Sequence, residues 1–106
     1  MFARNVSVRL KSNMLSEYGH LFESQVLPLL RKQKGFRDEI TIASANGLDV
    51  TAISLWDNKA DAEAYNTSAY PEAVKSLSKV TDGTPKVQTC ELISSTFHKI
   101  AVPVHA

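Results

Sequence analysis

The chain reads as a single α+β domain with the element order β-α-β-β-α-β, and three patterns in its 106 residues lead there. Between Ala3 and Leu10, the apolar Val6, Val8 and Leu10 alternate with Asn5, Ser7 and Arg9, the period-two signature of a strand with two unlike faces. Two further strand-like runs, Phe36 to Ser44 and Leu48 to Trp56, flank Ala45-Asn46-Gly47, a turn sequence suited to an antiparallel hairpin. Helix-like stretches separate this hairpin from strands at either end of the chain.

After the first strand, Ser12 or Asn13 can cap a helix, and Glu17 lies in its early turns, where a carboxylate suits the positive end. The helix is predicted to run to about Lys34, with Leu15, Tyr18, Phe22, Gln25 or Val26, and Leu29 forming one apolar stripe. Pro28 removes a backbone donor and crowds the Ser24 carbonyl, so a kink or tightened turn is expected there, and Gly35 ends the helix. Past the hairpin, Asp57 or Asn58 can cap a second helix through the alanine-rich run Lys59 to Tyr65. That helix is predicted to break near Pro71 and restart to Lys79 with Val74 and Leu77 inward, since proline is tolerated in a first turn. Asp82-Gly83-Thr84-Pro85 reads as a loop. A long last strand follows over about 86–100, with Ser94-Ser95-Thr96 as a bulge and a flexible tail over 101–106.

Two βα units around a hairpin give a four-stranded antiparallel sheet with both helices on one face, the ferredoxin-like arrangement. The opposite sheet face is expected to carry Asn5, Ser7, Arg9, Arg37, Glu39 and Thr41. Such a mixed surface is one an antiparallel sheet can expose to water.

Composition narrows the function. Apolar residues make up 43% and charged residues 22%, and no run approaches the ~20 apolar residues of a membrane span, so a membrane partner is not expected. The alternating N-terminus, with Arg4 and Arg9, lacks the apolar block of a secretory signal. Cys90 is the only cysteine, which fits a reducing compartment, and a cytoplasmic location is expected. A net charge of +1 with interleaved signs argues against nucleic acid as a partner. Arg31, Lys32 and Lys34 fall where a helix ends and complement its negative terminus. Metal-ligand spacings and glycine-rich phosphate loops are absent from the sequence.

Three segments carry a resemblance. The run from Leu30 to Phe36, the run Ile53-Ser54-Leu55-Trp56-Asp57-Asn58 leading into the alanine-rich helix to Tyr65, and Pro85-Lys86-Val87 before the last strand resemble the antibiotic-biosynthesis-monooxygenase family. The most specific element is the strand-ending Leu55-Trp56 followed by a capped acidic-alanine helix. The resemblance implies a dimeric α/β barrel: two sheets stacked through their open faces, helices outside, and the last strand reaching to the partner subunit. It also implies a small pocket between helices and sheet, and oxidation of a small aromatic or quinol-like molecule with no metal or flavin cofactor. In the haem-degrading branch, an asparagine on the first strand, a tryptophan on the second helix and a histidine after it carry the chemistry. Here Tyr65 and Lys75 fall at the latter two positions and Asn5 is one residue out of register, so haem degradation is disfavoured.

Such a site needs aromatic walls, donors for a developing oxyanion and exclusion of water. The candidates are Tyr65 and Trp56 as catalytic residues and Tyr18, Phe22 and Tyr70 as pocket walls. A general base would come from His20, His98, His105 or a perturbed carboxylate. His20 lies off the apolar stripe, His105 is in the tail, and His98 sits on the last strand, placed to meet a partner subunit. Two functions remain open: a cofactor-independent monooxygenase, or a non-catalytic ligand-binding or structural homodimer in which the same aromatics are core.

Overall fold

A computed structural model describes residues 1–100 of the chain. Strand β1 (Phe2–Leu10) leads into helix α1 (Leu15–Leu21), a π-helical turn (Phe22–Val26) and helix α2 (Leu27–Arg31). Strands β2 (Phe36–Ala43) and β3 (Asp49–Trp56) form the hairpin, helices α3 (Lys59–Ser68) and α4 (Tyr70–Leu77) follow, and β4 (Thr81–Glu91) closes the sheet. The strand order is β2-β3-β1-β4, every pairing is antiparallel, and the helices pack on one face, so the fold is ferredoxin-like.

The predicted elements are present, with informative shifts. Neither Ser12 nor Asn13 caps α1: Met14 occupies the cap position with no side-chain bond, and Asn13 adopts φ 61°. Asparagine tolerates that left-handed conformation, so it makes the turn in place of the cap. The helix ends at Arg31 rather than near Lys34. Gly35, at φ 80°, turns the chain into β2, and a Cβ there would overlap the Asp61 carboxylate.

The apolar stripe is Tyr18, Phe22, Val26 and Leu30, one side chain every four residues, so that Leu30 takes the buried place expected for Leu29. A straight helix of 3.6 residues per turn would rotate such a series steadily away from the sheet. The π turn absorbs the extra residue: the Leu27 N–H reaches back five positions to the Phe22 carbonyl. Pro28 follows at once in the first turn of α2, where its missing donor matters least.

Asn58 caps α3 as expected, its Oδ1 accepting from the Asp61 N–H at 2.9 Å. The second helical region breaks at Ala69, and α4 starts at Tyr70. The core lies between the helices and the sheet, anchored by the fully enclosed Trp56, Leu10, Val50 and Val80. Burial of each aliphatic side chain of this kind contributes about 1.5–3 kcal/mol.

Two expectations about the sheet are corrected. Strand β4 begins at Thr81 and ends at Glu91, so Asp82 to Pro85 lie within it and residues 92–100 do not extend it. Its register against β1 shifts between Ser7 and Arg9, making room for Gly83-Thr84-Pro85. Proline is tolerated there because β4 is an edge strand and Pro85 lies in its unpaired bulge. Beyond Leu92, whose N–H bonds the Met1 carbonyl, the Ser95 hydroxyl accepts from the backbone of Phe97 and His98 and turns the chain. The His98 ring then meets the Asp38 carboxylate on β2. The segment therefore crosses its own sheet instead of extending as a strand, and the open-face residues Ala3 and Leu55 are buried. The tail expected to be flexible, 101–106, lies outside the described residues.

The composition of the open face is the second correction. A bulge in β2 sets both Phe36 and Asp38 against consecutive β3 residues, Trp56 and Leu55, with Arg37 extra. Arg37 instead binds Asp57 through both carboxylate oxygens, at 2.5 and 3.2 Å. The bulge turns Glu39 and Thr41 toward the helices. Ile40 and Ile42 join Ile53 on the open face and are 43% and 56% exposed. Asn5, Ser7 and Arg9 occupy that face as predicted, opposite in phase to Val6 and Val8.

Candidate active site

An apolar cavity of about 50 Å³ opens between the helices and the sheet. That volume suits a few water molecules or a tightly held part of a small ring. Its floor is sheet: Arg4, Val6 and Val8 from β1, Ala52 and Ser54 from β3, and Glu39 from β2. Tyr18, Phe22, Val26 and Leu30 form one wall, so the π turn is what keeps all four facing the cavity. Tyr65 from α3 and Tyr70 and Val74 from α4 form the other wall.

Four of the five residues singled out in the sequence, Tyr18, Phe22, Tyr65 and Tyr70, thus line one cavity. The Tyr18 and Phe22 rings lie 5.7 Å apart and nearly parallel, and Tyr65 and Tyr70 lie 6.0 Å apart and tilted. Trp56 does not reach the cavity. It is fully enclosed, stacks 5.2 Å behind Tyr65, meets Phe36 edge-on and donates its indole N–H to the Ser54 hydroxyl at 2.8 Å. Its contact with the site runs through Tyr65 and Ser54.

Sequence reasoning missed the polar row on the floor. Ser54 pairs with Arg4 on one side and with Glu39 on the other, so the three stand side by side across β1, β3 and β2. Arg4 is 2% exposed. Its Nη2 donates to Asn66 Oδ1 at 2.6 Å, and its guanidinium carbon lies 3.9 Å from the centre of the Tyr70 ring and 5.1 Å from that of Tyr65. Arg4 Nε has no hydrogen-bond partner among the described residues, and neither has the buried Tyr70 hydroxyl.

Burial sets the acid-base character of the cavity. It disfavours the Arg4 charge, and the two tyrosines oppose that effect. It pushes the Tyr65 hydroxyl up to about 12 despite the nearby Arg4 cation. Tyr18 and Tyr70 are raised as well, again by burial first. All three tyrosines are therefore protonated donors at neutral pH. Among the described residues Glu39 is the one carboxylate lining the cavity, and burial raises its pKa against the opposing hydrogen bond from Thr41. It fits the perturbed carboxylate that the sequence left open as a base. His20 is exposed on α1, and His98 lies at Asp38 on the opposite side of the sheet, while His105 falls outside the described residues. No group of three His, Cys, Asp or Glu able to hold a metal ion exists among the described residues. No helix among them is long and apolar enough to cross a membrane.

Solved structures share this fold. Neighbours include members of the antibiotic biosynthesis monooxygenases. A Bordetella bronchiseptica protein assigned to them shares 12% identity over 88% of this chain and 97% of its own, with a TM-score of 0.74. SnoaB from Streptomyces nogalater, a cofactor-independent oxygenase, shares 9% identity over 90% and 95%, with a TM-score of 0.73. The monooxygenase ActVA-Orf6 of Streptomyces coelicolor, solved in complex with nanaomycin D, shares 18% over 96% and 91%, also with a TM-score of 0.73. In sequence, no family model and no curated protein matches the chain. At these identities the likeness is one of fold. The chain has the fold of the subunits that build those α/β barrels, as the sequence resemblance implies.

Proposed function

We propose that this chain is a monooxygenase that takes a small aromatic or quinol-like molecule into the cavity and oxidises it with dioxygen, using no bound cofactor. The observation that carries this reading is a polar row, Arg4, Ser54 and Glu39, set into the floor of an otherwise apolar cavity walled by aromatic rings. A buried polar group left without a partner lowers stability, and within this row Arg4 Nε has none among the described residues, which argues for a ligand that uses it. The shared fold with oxygenases supports the same direction.

The chemistry asks the protein to bind, to remove a proton and to exclude water. Glu39 takes a proton from the substrate's hydroxyl or activated carbon. The resulting electron-rich anion passes an electron to dioxygen, and recombination forms a C–O bond. Glu39 returns its proton to the peroxide, and loss of water from the resulting hydroperoxide leaves a carbonyl, so one oxygen atom stays in the product and the other leaves with two hydrogens of the substrate. Tyr65 touches the bound ring, and Trp56, stacked behind it, acts as a positioning residue.

The small cavity volume favours a second reading, a homodimer that binds an aromatic ligand without turning it over. In both readings two copies pair through the apolar open face around Ile40, Ile42 and Ile53. Oxygen uptake by purified protein against a panel of quinols and anthrones separates the two. Turnover that falls at least about a hundredfold in Glu39→Gln supports the oxygenase, in line with the usual contribution of a general base. Binding with no oxygen consumed across the panel removes the enzyme claim.

A further inference from the structure

We infer that Arg4 Nε and the Tyr70 hydroxyl form an anion-binding end of the cavity, so that the ligand is held as an aromatic oxyanion, a phenolate or enolate, and not as a neutral ring. This deepens the proposed function and rests on it. Arg4 is buried to all but 2% of its surface, yet no carboxylate among the described residues pairs with it. Its Nη2 donates to the neutral amide of Asn66, not to a carboxylate. Glu39 stands two strands away in the same row, and its carboxylate makes no ion pair with Arg4. A buried cation with no counter-charge is costly, and an anion arriving in the cavity would relieve that cost.

The donor geometry favours oxygen. A guanidinium has five N–H bonds in a rigid fork; Asn66 takes one on Nη2, which fixes the plane and leaves Nε–H unused. The Tyr70 hydroxyl, also buried and without a partner, belongs to the ring directly beneath that guanidinium. Both residues line the same cavity. Two unmet donors on adjoining walls match a single oxygen that carries charge, the arrangement that stabilises a developing oxyanion. Asn66 is then a positioning residue, acting through Arg4.

The test uses the intact protein with two probes of similar shape, 4-nitrophenol and nitrobenzene, followed by absorbance and by equilibrium binding. Wild-type protein is expected to draw bound 4-nitrophenol into its phenolate form at a pH where the free dye is mainly neutral. The phenolate is expected to bind at least about tenfold more tightly than nitrobenzene, the usual scale for hydrogen bonds to a charged group. Arg4→Met, which keeps much of the stem, should abolish the spectral shift while retaining nitrobenzene binding; Tyr70→Phe should weaken phenolate binding by about threefold to tenfold. Equal binding of both probes without a shift overturns the anion site and leaves the aromatic cavity standing. A shift that survives in Arg4→Met also overturns it. If Arg4→Met fails to fold, the wild-type shift and its reduction in Tyr70→Phe decide. If neither probe binds wild-type protein, both the anion site and the proposed function fall.

Discussion

Arg4 stands in the same alternation phase as Val6, Val8 and Leu10, so a charged side chain occupies the apolar side of the first strand. Phase alone was enough to place it inward, and an inward arginine among aliphatic neighbours is a signal of function that composition and motif searches pass over. Glu39 behaves differently. A carboxyl whose pKa burial raises in the folded state favours folding below its ordinary value of 4.5, and that contribution is lost as pH rises through the raised value. Glu39→Gln is neutral at every pH and can still accept from Thr41 through its amide oxygen. Thermal unfolding of the two proteins from pH 4 to pH 8 should therefore show the variant gaining on the wild type as pH increases; parallel curves would contradict the buried placement. Glu39 was not legible from the sequence, because the bulge at Arg37 reverses the facing of every later residue in β2, and nothing in that run announces a bulge. Tyr18, Phe22, Tyr65 and Tyr70 were legible, since helical spacing fixes their direction.

At the scale of elements, helix capping and turn chemistry decide where the walls stand. Asn58 closes the first turn of α3, the helix that carries both Tyr65 and Asn66, so this cap holds a tyrosine wall and the partner of Arg4 in place. Asn58→Ala should cost about 1 kcal/mol of stability in urea denaturation, and a loss below a few tenths would show that the cap contributes little. The cap, the hairpin and the break before α4 followed from local residue chemistry that acts over three or four positions. The π turn did not. Pro28 marks a disturbance in the first helix, but proline is compatible with a kink, a tightened turn or a π turn, and only the four-residue spacing of the buried side chains selects the last. The end of β4 was similarly hidden. Residues 92–100 have strand-like composition, and their departure from the ladder depends on a Ser95 turn and on a contact between His98 and Asp38, residues 60 positions apart in sequence.

For the molecule as a whole, the sheet has one face under helices and one face carrying Ile40, Ile42 and Ile53, with the 92–98 segment crossing one end of it. Exposed isoleucines on adjoining strands form the kind of apolar patch that proteins cover with a partner. Sedimentation at micromolar concentration should find a dimer, and Ile42→Lys should shift it toward monomer without unfolding it. A stable monomer in the wild type would remove the proposed pairing. The βαββαβ order and the sheet topology were readable because they rest on periodicity repeated over many residues, whereas the site rests on a few side chains whose directions depend on two local irregularities.

The central claim is that the cavity above Arg4, Ser54 and Glu39 takes an aromatic ring, and a crystal grown with a monocyclic quinol tests it most directly. The ring is predicted to lie between Phe22 and the Tyr65–Tyr70 pair, with one of its oxygens within hydrogen-bond distance of Arg4 Nε. A cavity that stays closed, with the quinol absent or bound only on the open sheet face, would contradict the account.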